Sequence, residues 1–586
     1  MEFKNYRAIY GKGILHTHID KYRLPPGDAL PGPVTGTDPH TAKAAGPIAI
    51  IGAGASGLAA AYMLKTLGYS FEIFEASDRV GGRCFTYYFD ANKTQYNYYD
   101  VGAMRFPKVR AMDTTFEWFD RLQIQLDPYI FKAPNAPLDY NGRTFIPPDT
   151  KDWWTSDIFK VGTSEGGTVT DQDASQSPDI AVDEAFADIA ATITADFQTG
   201  WTELLKLENA GVSVRDWFLN RAKRPRDNPT VSWFETYEFG TLMYNASFTE
   251  NLLDYLEFGD ASASTNPSPQ RAAVGPGWFL VRGGTQVFTD TLFNTLDIPL
   301  GTITNKRVTK ISKDKDSADL LIDVEGTTQP TPYSHVISTI PLGSLETVTF
   351  DDNIGLNWGT RTAIRSCAYA DSVKVAIKFH TRWWQNAPVN IKGGLDKTDR
   401  PTRCVVFPSY GIDDDNAPAV MIASYNWSQD AARFGALIQG PDSPEEKQLV
   451  FEIILRDIAA IHQVDYEHLS QTEYKAHHAW HWGSHPYTRG AFAFFQPGQF
   501  SEMFPFITQP GANGRLHFAG EAASVHHAWV AGALTSAWRA VAEVLIIDGS
   551  SKKDAENKLV NLGFKKPDEV DVEIVLNQLK LSTLRL

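Results

Sequence analysis

Three glycines in the run GAGASG, Gly52, Gly54 and Gly57, follow the apolar stretch PIAII and precede a small-residue run, and an acid, Glu75, closes the next apolar stretch. This pattern suits the chemistry of holding a dinucleotide. The first glycine permits a tight turn, the second lets the backbone approach a pyrophosphate, and the third lets a helix pack closely on a strand. Ala55 and Ser56 then open the helix, where free N–H groups and the dipole favour negative charge. Glu75, followed by Ala76, stands roughly 20 residues beyond the turn, where a carboxylate accepts hydrogen bonds from ribose hydroxyls. An acid there also disfavours a 2′-phosphate. The competing reading, a Gly-rich turn with no ligand, leaves the strand, the spacing and the acid unexplained.

Other side chains could react or bind charge. Arg105, in YDVGAMRFPKV, has the two parallel N–H donors that grip a carboxylate, although an arginine can equally lie on the surface or meet a phosphate. Lys374, in DSVKVAIKF, sits between Val373 and Val375, so alternation alone does not say which face it occupies. An amine pressed into an apolar strand has a lowered pKa. Tyr425, in VMIASYNWSQD, reads by itself as a core tyrosine. His477 and His481 are spaced i, i+4, and His526 and His527 are adjacent, but no acid or cysteine stands in register with either pair, and no metal site is expected. The three cysteines, Cys84, Cys367 and Cys404, are too far apart for a CxxC pair or a cysteine zinc box.

The elements that must position these groups follow from the pattern along the chain. Residues 1–46, rich in Pro, Gly, Thr and His, read as an extended arm over the surface with no chemistry. From Pro47 an apolar strand, a Gly-rich turn, a helix and a second strand ending at Glu75 form a βαβ unit. A polar stretch after residue 150 leads into helical segments to about 270. Short strands then run from Trp278 to about residue 500, and RLHFAGEAASVHHAWVAGALTSAWRAVAEVLI is again strand, turn and helix. Beyond Asp548 the charged, helical tail packs on the body or on a second subunit.

At 586 residues the chain is long enough for two or three domains. With 54 Lys and Arg against 70 Asp and Glu, the net charge of −16 argues against nucleic acid, which needs a basic face. A zwitterion, with no net charge, is not disfavoured. No run of about 18 uninterrupted apolar residues and no apolar core of a signal peptide is visible, so no membrane partner is expected.

Past Glu75 the run ASDRVGGRC, with Asp78, Arg79, Gly81, Gly82 and Arg83, resembles the second part of the FAD fingerprint in the flavin amine oxidase family. FAGEAASVHHAWVAGALTSAWRA (518–540), with Gly520 and Glu521 in its turn, is similar to the family's closing FAD motif. RGGTQ (282–286), KRVTKI (306–311) and STIPLGSL (338–345) resemble its intermediate segments. The resemblance covers roughly residues 47–545, and GAMRFP brings it closest to L-amino acid oxidases of fungal or bacterial type.

That resemblance implies an α/β (α+β) fold: a discontinuous Rossmann-like FAD-binding domain (47–85, 271–368 and 510–548), a mixed-sheet substrate domain (86–150 and 369–509), a helical insertion (151–270) and a C-terminal tail (549–586). For the cofactor it implies contacts from Gly102, Ala103, Met104 and Arg105, a backbone contact to adenine from Val308, a phosphate contact from Arg83, aromatic cover from Trp482 and Tyr487, and a helix N-terminus at Trp529 and Val530. For the substrate it implies a carboxylate held by Arg105 and Tyr425, a backbone carbonyl from Ala528 for the amino group, a wall at Trp529, and Lys374 holding a water near the flavin. Ala528 stands where glycine is common, leaving the carbonyl and slightly narrowing the pocket. Ala491 stands where some relatives attach FAD through cysteine, so FAD is expected to be noncovalent.

The activity implied is oxidative deamination of L-amino acids to 2-oxo acids, ammonia and hydrogen peroxide, by hydride transfer from the α-carbon to flavin N5 and reoxidation by oxygen; the many aromatic residues and the single identified cation add the expectation of a broad preference for larger neutral side chains. The alternatives are a monoamine or polyamine oxidase, an amino acid 2-monooxygenase, or a flavin-bearing defence protein without catalysis. A homodimer or higher homo-oligomer is expected. An intracellular location, cytoplasmic or peroxisomal, is favoured over secretion of a processed form; the terminal Leu584-Arg585-Leu586 only approximates a peroxisomal Ser-Lys-Leu.

Overall fold

The computed structural model describes residues 4–22, 24, 26, 27, 30, 46–148, 153–238, 240–258, 277–438 and 444–583. Helix α1 (Tyr6–Ile19) buries Tyr6, Arg7, Tyr10, Gly11, Ile14 and Leu15. The expectation of an extended arm over 1–46 is therefore corrected for its first part, while residues 31–45 lie outside the described residues. Two buried rows, Tyr6, Tyr10, Ile14 and Arg7, Gly11, Leu15, repeat every four residues, which is helical spacing. The Pro- and Gly-rich composition of the following residues had masked it.

Strand β1 (Ile48–Ile51) is buried at all four positions, and helix α2 (Ala55–Leu67) ends at Gly68, whose φ of +82° suits a left-handed cap. Strand β2 (Phe71–Phe74) follows. Next come the short strands β3 (Leu138–Tyr140) and β4 (Arg143–Phe145). Four longer helices lie in the insertion: Pro178–Ala195, Phe197–Asn209, Asn228–Tyr237 and α3 (Phe248–Phe258). Strands β5 (Val308–Lys313), β6 (His335–Ser338), β7 (Ser372–Phe379), β8 (Leu395–Thr398), β9 (Cys404–Val406), β10 (Ala419–Trp427), β11 (Tyr474–His481) and β12 (Leu516–Phe518) succeed them. The chain closes with α4 (Val530–Ile547), α5 (Lys552–Asn561) and α6 (Val572–Thr583).

Two sheets position the site. The first is four-stranded and parallel, in the order β2-β1-β6-β12, so segments far apart in the chain meet in one sheet. Its strands are short apolar runs, as expected where both faces are covered. Helices α2 and α4 pack on each other beside it. The second is seven-stranded and mixed, in the order β11-β7-β10-β9-β8-β3-β4, antiparallel except where β8 pairs with β3. Helix α4 is apolar and long enough to cross a membrane by length and composition, but 94% of it is buried inside the structure. Of the two placements open to the tail, the body is the one observed: Leu576 and Leu579 of α6 join the core around α2 and α4, and Gln578 donates to the Pro505 carbonyl. The terminal Leu584-Arg585-Leu586 lies outside the described residues.

Candidate active site

A cavity of about 1230 Å³ runs from the carboxyl end of the parallel sheet to one face of the mixed sheet. At its first end β1 leads into Gly52, whose φ is +100° and whose Cβ, if present, would lie 2.5 Å from Thr339 Oγ1. A Cβ on Gly54 would meet nothing within 4 Å, so this backbone is bare toward the cavity. Gly57 does not line the cavity; a Cβ there would lie 1.9 Å from the Gly52 carbonyl oxygen. It packs α2 closely on the turn. Ser56 lines the cavity at the start of α2 with its buried Oγ lacking a hydrogen-bond partner among the described residues. Glu75 Oε2 accepts from the Ala53 N–H and Oε1 from the Ser77 N–H, both at 2.8 Å. Ala76 and Val308 line the same end.

These features fit an FAD. A bare Gly turn, an unsatisfied hydroxyl at a helix N-terminus and a carboxylate whose Oε2, taking one bond against two on Oε1, has a lone pair to spare are a donor and acceptor set that suits a pyrophosphate and a ribose. Further along, Gly520 and Glu521 also line the cavity. Arg83 donates to Glu521 Oε2 at 2.9 Å and to the Ala491 carbonyl at 3.1 Å, so its charge already has a partner. Val530 begins α4, whose N-terminus has no side-chain cap. The Cys84 thiol lines the cavity too, but burial pushes its pKa up to about 12, which leaves it a poor nucleophile.

At the second end the mixed sheet supplies side chains. Lys374 on β7 is 2% exposed and lies directly opposite Tyr425 on β10. Both neighbours, Val373 and Val375, are fully buried, which is why alternation could not orient the lysine: the strand is covered on both faces. Lys374 Nζ donates to the carbonyls of Asp100 (3.0 Å) and Gly102 (2.7 Å) and lies 4.8 Å from the centre of the Tyr425 ring. Burial, with help from Arg105 and against the attraction of Asp100, lowers its pKa from 10.5 to about 7. A Cβ on Gly102 would lie 1.7 Å from the Arg83 carbonyl, so only glycine brings these acceptors to the lysine.

Arg105 faces the cavity with its guanidinium carbon 4.8 Å from the centre of the Phe131 ring, 5.8 Å from Trp278 and 6.0 Å from Tyr129. No carboxylate lies within ion-pair distance of it among the described residues. Stacking on rings offsets only part of the cost of such a half-buried cation. Burial raises the pKa of Tyr425 although Arg105 pulls it down, so the phenol stays a donor. Ala103 and Met104 line the cavity beside Arg105. Trp482 and Tyr487 line it as well, Trp482 fixed by donation from Nε1 to the Val101 carbonyl at 3.2 Å. Ala528 has φ +65°, with its N–H donated to Glu521 Oε1 at 3.2 Å. Backbone conformation, besides space, is thus a reason for glycine to be favoured at this position. Trp529 stands 6.5 Å from Trp278, ring centre to ring centre.

Sequence reasoning did not find Tyr129, Phe131 and Trp278 around Arg105, nor Trp427, which also lines the cavity. Nor did it find that the cavity reaches Phe186, Met243, Tyr244 and Tyr255 of the helical insertion. Aromatic residues are plentiful in this chain and carry no local mark of convergence. The histidines serve other partners: His481 Nε2 pairs with Asp371 at 2.7 Å, His477 Nδ1 with the Tyr474 hydroxyl at 2.9 Å, His526 Nδ1 with Glu569 at 3.1 Å and His527 Nδ1 with Glu250 at 2.7 Å.

Comparison with known proteins adds the following. Residues 55–545 match the family of flavin containing amine oxidoreductases. A Dictyostelium discoideum protein named as a bifunctional amine oxidase is 36% identical over 550 residues, covering 89% of this chain and 48% of the relative, so the chain spans about half the length of that relative. L-amino-acid oxidase 4 of Hebeloma cylindrosporum is 35% identical over 555 residues, 86% of this chain and 82% of the relative. Among solved structures, cyclohexylamine oxidase from Brevibacterium oxydans superposes with a TM-score of 0.61 over 86% of this chain and 99% of its own, at 16% identity, a likeness of fold alone.

Proposed function

Because the chain belongs to the flavin-containing amine oxidoreductases, we propose that it is an FAD-dependent L-amino-acid oxidase, releasing 2-oxo acids, ammonia and hydrogen peroxide from L-amino acids with larger neutral side chains. The observation that carries this reading is Arg105. A cation facing the cavity against three aromatic rings, with no acidic partner among the described residues, needs an anion from the ligand. An α-carboxylate supplies one, and a simple amine does not.

When bound, noncovalent FAD supplies the two-electron acceptor and the reaction with oxygen. The chain's own residues orient the substrate. Arg105 takes the carboxylate through paired N–H donors, and Tyr425 gives it a third hydrogen bond from its hydroxyl. The Ala528 carbonyl accepts a hydrogen bond from the amino group. Fixing both ends of the α-carbon presents its hydrogen in one direction, which gains rate through positioning. Lys374, uncharged above about pH 7, spends its two N–H donors on the Asp100 and Gly102 carbonyls. Its lone pair is then left to hold a water or take a proton. The aromatic walls exclude bulk water and favour larger side chains.

The test is anaerobic addition of L-phenylalanine, D-phenylalanine and phenethylamine to the purified yellow protein. Bleaching of the flavin by L-phenylalanine alone is the expected result. Bleaching by phenethylamine at a comparable rate would overturn the reading, since that amine has no carboxylate for Arg105.

A further inference from the structure

The loop before α4 is held by parts of the chain that the proposed chemistry does not use. Arg7 of α1 is completely buried. Its guanidinium donates to Glu250 Oε1 (2.8 Å), to the Val525 carbonyl (2.7 Å) and to Asp254 Oδ1 (2.5 Å). Glu250, on α3, turns its other oxygen to His527 Nδ1 at 2.7 Å and also accepts from the Phe495 N–H at 3.2 Å. Although burial alone would raise it, His527 and Arg7 hold the Glu250 carboxyl down to about 2. Gly11 completes the contact: a Cβ there would lie 2.5 Å from Val525 Cγ1, so α1 rests directly on the loop. From the other side Glu569 accepts from the Ser524 hydroxyl (2.6 Å) and the Val525 N–H (3.0 Å).

The residue that follows this braced run is Ala528, with φ +65°. An alanine keeps a left-handed conformation only where its surroundings enforce it. Glu521 holds its N–H, and the Glu250 bond holds the side chain immediately before it. We propose that Arg7, Glu250 and His527 are positioning residues for the substrate pocket: they lock Ala528 in the left-handed conformation and so aim its carbonyl and the Trp529 ring. The N-terminal helix is on this account part of the site, acting through α3. The inference rests on the reading that the Ala528 carbonyl meets the substrate amine.

The experiment uses the FAD-loaded enzyme and His527→Phe, which keeps a ring between Phe495 and Phe500 (centres 4.2 and 5.5 Å away) and deletes the bond to Glu250. Flavin content, melting temperature and anaerobic flavin reduction by L-phenylalanine are measured with Ala528 retained and again in an Ala528→Gly background. Glycine adopts this φ unaided. With Ala528 retained, the limiting reduction rate falls on the order of 10-fold or more while FAD stays bound. In the Ala528→Gly background, the same His527→Phe change costs under about 3-fold, because the conformation no longer needs the brace. An equal loss in both backgrounds, or no loss with Ala528 retained, overturns the proposal. Arg7→Lys keeps one charge but not the fork that spans Glu250, Asp254 and Val525, and it shows the same background dependence should His527→Phe not fold. If no L-amino acid reduces the wild-type flavin, it is the functional reading that fails. The comparison is then run with the amine that does reduce it, and the same pattern is required.

Discussion

The two ends of the cavity are built on different sheets and by different means. At the nucleotide end the parallel sheet presents backbone: the bare Gly54, the turn at Gly52 and the start of α2. At the amine end the mixed sheet presents side chains, Lys374 opposite Tyr425, with Arg105 brought beside them and rings arriving from residues 129–131 and 278. The first end works by keeping side chains off the turn so that a ligand can approach the main chain, and at Gly52 and Gly57 the protein itself leaves no room for a Cβ. The second works by convergence of chemically distinct groups from separate segments. Lesions at the two ends should therefore differ in kind: cofactor and fold are lost at the first, rate and affinity at the second.

The largest effect is expected at Gly57. In Gly57→Ala the new methyl lies 1.9 Å from the Gly52 carbonyl oxygen, and neither backbone has a flexible end to give way. Loss of FAD from the purified protein and destabilisation of about 3 kcal/mol follow, read by flavin absorbance and thermal melting. A yellow Gly57→Ala protein of normal Tm would break the comparison at its strongest point.

Arg105→Met comes next. FAD stays bound, Tm does not fall because no acid loses a partner, and the dissociation constant for L-phenylalanine rises by about 10² to 10³, the worth of a desolvated charge pair of roughly 3–4 kcal/mol. Titration of flavin reduction measures it. If Arg105→Met loses its flavin, the two ends are not separable.

For Lys374→Met the reduction rate should fall by about 10²-fold, and its pH profile sharpens the assignment. The pKa is lowered from 10.5 to about 7, so the amine becomes neutral as pH rises through 7. The wild-type rate in the substrate complex should climb from pH 6 to 8, and this limb should vanish in the variant. A surviving limb would assign the titration to another group. Tyr425→Phe is the mildest change. It removes one hydroxyl donor to a charged group, about 1.5 kcal/mol, or roughly tenfold in substrate affinity with little change in limiting rate.

Much of the nucleotide end was readable beforehand. Gly52, Gly54 and Glu75 are tied to one turn and one strand, and the spacing of a βαβ unit is a local property. Gly57 was given a packing role by its position, and its close approach to the Gly52 carbonyl matches that role. The amine end was only partly readable. Arg105 stood out by its type and motif, yet Tyr129, Phe131 and Trp278, which set its surroundings, lie in other segments. Lys374 could not be oriented until β10 and β11 were seen on either side of it. The first part of residues 1–46 was misread, because the composition of the stretch as a whole concealed Arg7 and its helical neighbours in α1.

From the sequence alone came the Gly-rich turn, the acid that closes the next strand, the arginine of a type suited to a carboxylate and the α/β character of the chain. Each depends on residue type at short range, where steric and hydrogen-bonding rules act between neighbours. Only the tertiary structure decided that Arg105 has no acidic partner among the described residues, that Ala528 is left-handed, and that Arg7 reaches Glu250 some 240 residues away. Those outcomes depend on charges and rings brought together from distant segments, and burial fixes their strength only once the fold has closed around them.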